Sequence, residues 1–177
     1  MFEVQNVNDL CRAARMLGNG SATEDAISTL IHSAKNQEPS TLLRGLIAGA
    51  RASAEKYKEP ALRLERLARI AGLTGEDKDF KHAIGLVSKV SHPCARARAK
   101  KFIVQAYLAA GEIEEARHYA KIIISAFWSA EAWIEITNKS GDMEDFKCAK
   151  ARASLIADPL AKEEVDAQIN ALKQLFP

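Results

Sequence analysis

FIVQAYLAAGEIEEARHYAKIIIS (residues 102–125) and AEAWIEITNKSGDMEDFKCAKARASLIADP (residues 130–159) decide how this chain is read. Each segment runs through an apolar helical stretch, a Gly turn with acidic residues behind it, a second helical stretch and a break. The Gly turn occurs three times, as Gly75-Glu76-Asp77, Gly111-Glu112-Ile113 and Gly141-Asp142-Met143. Each Gly can take the left-handed conformation that ends a helix. The acidic residues after it then fall in the first turn of the next helix, where free N–H groups and the helix dipole favour carboxylates. The downstream breaks, Pro60, Pro93, Ala126 and Pro159, stand 33 residues apart. Pro at three of the four stops one helix and opens the next. A fixed period of this size is the mark of a helical repeat.

The segment Ala130 to Pro159 resembles a tetratricopeptide repeat (TPR) through Trp133, Gly141-Asp142, the small Ala149 and the closing Asp158-Pro159. Residues 97–126 resemble it through Tyr107, Gly111 and Ala116, and residues 61–93 through Leu64, Leu67, Ala68 and Gly75. The resemblance implies an all-α, right-handed α-solenoid of antiparallel helix pairs with about nine helices. It also implies binding of another macromolecule in a concave groove.

Composition fits that expectation. At 177 residues, with 47% hydrophobic and 27% charged residues, the chain suits one soluble domain. No apolar run approaches the roughly 20 residues that span a membrane, and the N-terminus shows no signal-like segment. A cytoplasmic protein is expected. Three widely spaced cysteines (Cys11, Cys94, Cys148) read as reduced thiols in the core. The net charge of +2 is unevenly spread. Residues 61–126 carry twelve basic and seven acidic side chains, and residues 127–177 carry six and nine. That balance differs from the strong positive field of a nucleic-acid binder.

In chain order, residues 1–60 read as atypical N-terminal helices, residues 61–159 as three repeats and residues 160–177 as a capping helix, all in one domain spanning 1–177. A short helix is expected at 8–17. The capping-box pattern Ser21-Ala22-Thr23-Glu24 opens a second, and a third runs from Ser40 to Tyr57. Further helices are expected near 61–73, 77–90, 94–110, 113–125, 129–139, 143–157 and 160–176.

No catalytic, cofactor-binding or metal-binding motif stands out. His92-Pro93-Cys94 lacks the second Cys/His pair that zinc spacing requires. Gly18-Asn19-Gly20 is too short for a phosphate loop. The acidic pairs behind the glycines are explained by the helix dipole. Arg96, Arg98, Lys100 and Lys101 are less easily explained, because positive charge in a helix's first turns opposes the dipole. In the TPR geometry the first helix of each pair lines the groove. Arg66, Arg69, Arg98, Lys101, Gln105 and Asn138 are therefore the candidate peptide-binding residues. Such a groove would attract an acidic peptide or a terminal carboxylate. The Lys/Asn clamp of the family's chaperone-tail receptors is not reproduced.

Trp133 is expected in the core and Trp128 as a wedge between repeats. The expected function is a non-enzymatic protein–protein interaction module: an adaptor, assembly factor or chaperone. The alternative is single-stranded RNA binding, since residues 103–125 also resemble a pentatricopeptide repeat. An uncapped apolar end would also allow two such solenoids to pair as a homodimer.

Overall fold

The computed structural model describes residues 39–175, and every regular element among them is helical. The elements are α1 (Pro39–Glu55), α2 (Pro60–Thr74), α3 (Asp77–Gly85), α4 (Pro93–Ala110), α5 (Ile113–Lys121), α6 (Ala126–Ser140), α7 (Met143–Ala153) and α8 (Pro159–Leu172). Short 3₁₀ turns lie at Val87–Lys89 and Lys173–Leu175. The helices expected at 8–17 and after Ser21, together with Cys11, lie outside the described residues. No helix among the described residues is long and apolar enough to cross a membrane.

The boundaries follow from local chemistry. Pro60, Pro93 and Pro159 open α2, α4 and α8, where the missing N–H costs nothing. Ser125 opens α6 and accepts from the Trp128 amide at 3.5 Å, so that helix begins earlier than the expected 129. Gly75, Gly111 and Gly141 close α2, α4 and α6 at φ of 66°, 86° and 68°, the left-handed conformation that their position requires.

The second helix of each pair is shorter than the sequence suggests, ending at 85, 121 and 153 instead of 90, 125 and 157. Val90, Ile123 and Ile156 explain the difference. They stand 33 residues apart, each at most 8% exposed, and each anchors the descending chain to the core after its helix has ended. Val90 is extended, with φ −79° and ψ 106°.

Helices pack against the next element in the chain and the next but one: α2 on α3 and α4, α4 on α5 and α6, α6 on α7 and α8. One core gathers around α2, with Leu64, Leu67, Ile70, Leu73, Phe80 and Ile103 buried. A second forms around α6, with Val104, Trp133, Ile136, Phe146 and Val165. Tyr107 and Tyr119 touch both. Phe80 stacks on Tyr107 at 4.2 Å, and Tyr107 meets Tyr119 at 5.6 Å, forming an aromatic bridge between the cores. Burying each large aliphatic side chain is worth roughly 1.5–3 kcal/mol. Small residues set how closely the helices meet. A Cβ on Gly72 of α2 would lie 3.0 Å from both the Cα and the carbonyl oxygen of Ala106 on α4.

Candidate functional site

One face of α2, α4 and α6 carries the open hollows that matter here. The larger, of about 340 Å³, is lined by Leu62 and Glu65 of α2, Cys94, Ala95, Arg98 and Phe102 of α4, and Trp128 of α6. A smaller one of about 170 Å³ lies on the far side of Phe102, against Arg69, Gly72, Gln105, Ala106 and Ala109. The chain builds the larger hollow by residue size. Leu62, Ala95 and Trp128 occupy equivalent places 33 residues apart, so the middle helix contributes a methyl group between two large side chains. Leu62 is 42% exposed and Trp128 half-buried, so both remain available at its rim.

The candidate residues divide on this face. Arg98 is exposed, with its guanidinium carbon 5.4 Å from the Phe102 ring centre and 5.9 Å from that of Trp128. Arg69 pairs with Glu65 at 2.8 Å and lines the smaller hollow with Gln105. Lys101 is drawn into the structure, with Nζ 2.8 Å from Glu131 and 3.0 Å from Glu135. Burial pushes the Lys101 ammonium down, but the two carboxylates more than offset it and hold its pKa above the ordinary lysine value. Gln105 donates to Glu135 at 2.8 Å, and Gln168 of α8 donates to Glu131 at 2.7 Å. Asn138 is exposed near the end of α6, one repeat on from Gln105. Arg66 does not line either hollow; its guanidinium sits over Tyr57, 5.6 Å from the ring centre. The face is therefore mixed in charge, with Glu59, Glu65, Glu131 and Glu135 beside the cations.

The basic run at the start of α4 has a structural explanation for most of its members. Arg96 turns back on the preceding chain, donating from Nε to the Val90 carbonyl at 2.8 Å and from a terminal nitrogen to that of Ser91 at 3.2 Å. Arg63 does the same one repeat earlier, to the Tyr57 carbonyl at 3.0 Å. Lys100 donates to the Ile122 carbonyl at 2.9 Å. These side chains satisfy carbonyls left free where the preceding helices end, which outweighs their unfavourable place on the dipole.

Sequence reasoning missed a pair of buried acid sites. Asp79, 4% exposed, accepts from Arg51 at 2.7 and 3.0 Å and from the Thr74 hydroxyl at 2.8 Å. Asp145, 3% exposed, accepts from Arg117 at 2.7 and 2.9 Å and from the Ser140 hydroxyl at 2.7 Å. Glu76 and Asp142 add a second carboxylate to each arginine, at 3.2 and 2.8 Å. The matching 66-residue offsets (Arg51/Arg117, Thr74/Ser140, Asp79/Asp145) were the available signal. The forked, charge-assisted geometry identifies these as structural clasps.

Cys94 proves exposed rather than buried, taking a hydrogen bond from Trp128 Nε1 at 3.5 Å, while Cys148 is half-buried and burial pushes its thiol up. Trp133 is in the core as expected; Trp128 lies on the open face and not wedged inside. Among the described residues no cluster of His, Cys, Asp and Glu has the makings of a metal site.

Compared with known proteins, the chain matches no family model, no curated protein and no solved structure.

Proposed function

We propose that this chain is a TPR-like right-handed α-solenoid acting as a non-enzymatic interaction module, an adaptor, assembly factor or chaperone of the cytoplasm. It binds a peptide or partner helix along the face of α2, α4 and α6. The solenoid reading draws support from the packing order, in which each helix contacts its neighbours one and two places along the chain. The observation that carries the binding reading is the larger hollow. It offers a half-exposed Trp128, a 42% exposed Leu62 and an arginine stacked on two rings in one place. Aromatic and arginine side chains at a concave site are the usual energetic centre of a protein interface. Single-stranded RNA draws less support, because Lys101 is neutralised by Glu131 and Glu135, and Glu59 and Glu65 border the same face.

The test is a pull-down from native lysate with wild-type protein and a Leu62→Glu/Trp128→Ala double variant, with and without nuclease. Protein partners that survive nuclease and are lost in the variant support the reading. Partners that vanish with nuclease transfer it to RNA, and partners retained by the variant remove the binding site from this face.

A further inference from the structure

Of the four cations Arg96, Arg98, Lys100 and Lys101, three are committed inside the molecule, two to carbonyls and one to carboxylates. Arg98 is the exception. It is exposed, and no carboxylate among the described residues reaches it. Its place is unusual in the repeat, because the equivalent residues one repeat away on either side are Glu65 and Glu131. The middle helix thus inverts the charge at the point where it also substitutes Ala95 for a large residue. A hollow for an apolar side chain and an unpaired guanidinium stand one helical turn apart on the same helix, about 5 Å along its axis.

We propose that this hollow selects an extended peptide segment carrying one apolar or aromatic side chain beside a single internal Asp or Glu. The inference rests on the interaction-module reading above. The apolar side chain enters over Ala95 between Leu62 and Trp128, and the carboxylate meets Arg98. One carboxylate is favoured and an acidic tract is not, because Glu59 and Glu65 border the hollow and Glu131 and Glu135 lie just beyond it. Like charges that close disfavour a second acid.

An extended segment fits better than a helix. The backbones of α2 and α4 all but touch at Gly72 and Ala106, leaving a seam narrower than the roughly 10 Å breadth of a helix. The carboxylate comes from within a chain and not from a terminus, since the second hollow continues the seam beyond Phe102. That hollow lies about 15 Å along α4 at 1.5 Å per residue, a distance an extended chain covers in about four or five residues. The segment therefore carries a second, smaller apolar residue at that spacing.

The experiment is selection of a random displayed peptide library on the full chain, repeated on Arg98→Glu and on Ala95→Trp, with Lys139→Glu as a surface control. Circular dichroism checks that each variant is folded. Selected peptides enriched in an apolar residue next to one Asp or Glu support the proposal. So does an Arg98→Glu selection in which that acid is replaced by Lys or Arg. Affinity for the wild-type peptides, read by fluorescence anisotropy, should fall at least about tenfold in either groove variant and stay unchanged in the control.

Peptides that bind equally well to Arg98→Glu but are lost in Ala95→Trp would overturn the carboxylate preference and leave the groove reading standing. Peptides indifferent to both variants would overturn both readings, as would selection yielding no binder.

Discussion

The three Gly turns look alike in sequence but are fastened differently. The outer two, at Gly75 and Gly141, are flanked by a hydroxyl residue (Thr74, Ser140) and a buried aspartate (Asp79, Asp145) that an arginine from an earlier helix grips. The middle turn, at Gly111, has Ala110 and Glu115 in those places, and the corresponding stretch upstream, Ile84 to Val87, holds no basic residue. Glu115 is exposed. Its joint relies instead on the Phe80–Tyr107–Tyr119 rings and on the close crossing at Gly72. One backbone turn therefore supports two kinds of joint, ionic at the outer turns and apolar at the middle. The apolar joint adjoins the candidate groove. Ionic clasps there would place more fixed charge at the binding face and leave less room for an apolar ligand.

The strongest way to break this comparison is to remove an outer clasp. Arg117→Ala leaves Asp145 buried with only Ser140 to satisfy it, and about 2–4 kcal/mol of stability should be lost in urea unfolding. Arg51→Ala should cost less, since Arg51 is more exposed than Arg117, 32% against 21%. Arg117→Lys should recover part of the loss, because an ammonium cannot reproduce the two-pronged contact. Equal losses for Ala and Lys, or none, would remove the clasps from the account of stability.

The middle joint should instead be sensitive to volume. Gly72→Ala forces a Cβ to within 3.0 Å of Ala106 backbone and of the Ala109 methyl, so the helices must part. A loss of about 1–3 kcal/mol is expected by thermal unfolding. An unchanged midpoint would show that α2 and α4 are free to move apart.

Alkaline titration sharpens the contrast further. Burial, with Tyr119 and nearby acids adding to it, pushes the Tyr107 phenol up to about 12, and burial raises Tyr119 as well. A folded pKa above the unfolded value of 10.0 favours the neutral phenol in the native state. Its contribution is complete below pH 10 and lost as pH climbs toward 12. The outer clasps stay charged there, because the Asp79 and Asp145 hydrogen bonds hold Arg51 and Arg117 above the ordinary arginine value. Stability should decline over that window, and Tyr107→Phe should flatten the decline. A slope that persists in the variant would place the titrating group elsewhere.

The smallest effects concern the hydroxyls. Thr74→Ala and Ser140→Ala should each cost about 1 kcal/mol, whereas Ala110→Ser, with no aspartate to meet, should stay within about 0.5 kcal/mol. Three similar values would erase the distinction between the turns.

Much of this architecture could be read from the sequence because it is local. A left-handed Gly, a Pro at a helix start and an acidic first turn each act within a few residues, and all three turns formed where expected. The clasps were hidden because their partners lie 28 residues apart in the chain, on faces that only tertiary packing brings together. The acidic residues were correctly placed, but the dipole alone was credited for them. For the candidate groove, charge was legible and commitment was not. Arg98 and Lys101 look alike on paper, yet one is stacked and open while the other is tied to two glutamates. The hollow itself could have been seen by aligning Leu62, Ala95 and Trp128 at the repeat spacing.

The packing order also bears on how the chain comes into being. Every substantial helix contact joins elements at most two places apart. A chain emerging from the ribosome can thus begin to cover α2 once α3 and α4 have appeared, without waiting for α8. Each new helix finds its neighbour already in place. Such vectorial assembly exposes little apolar surface at any moment and needs few long loop closures. The aromatic bridge would be the step at which the second core is founded on the first, since Tyr107 and Tyr119 join the growing structure before the helix that carries Trp133 is made.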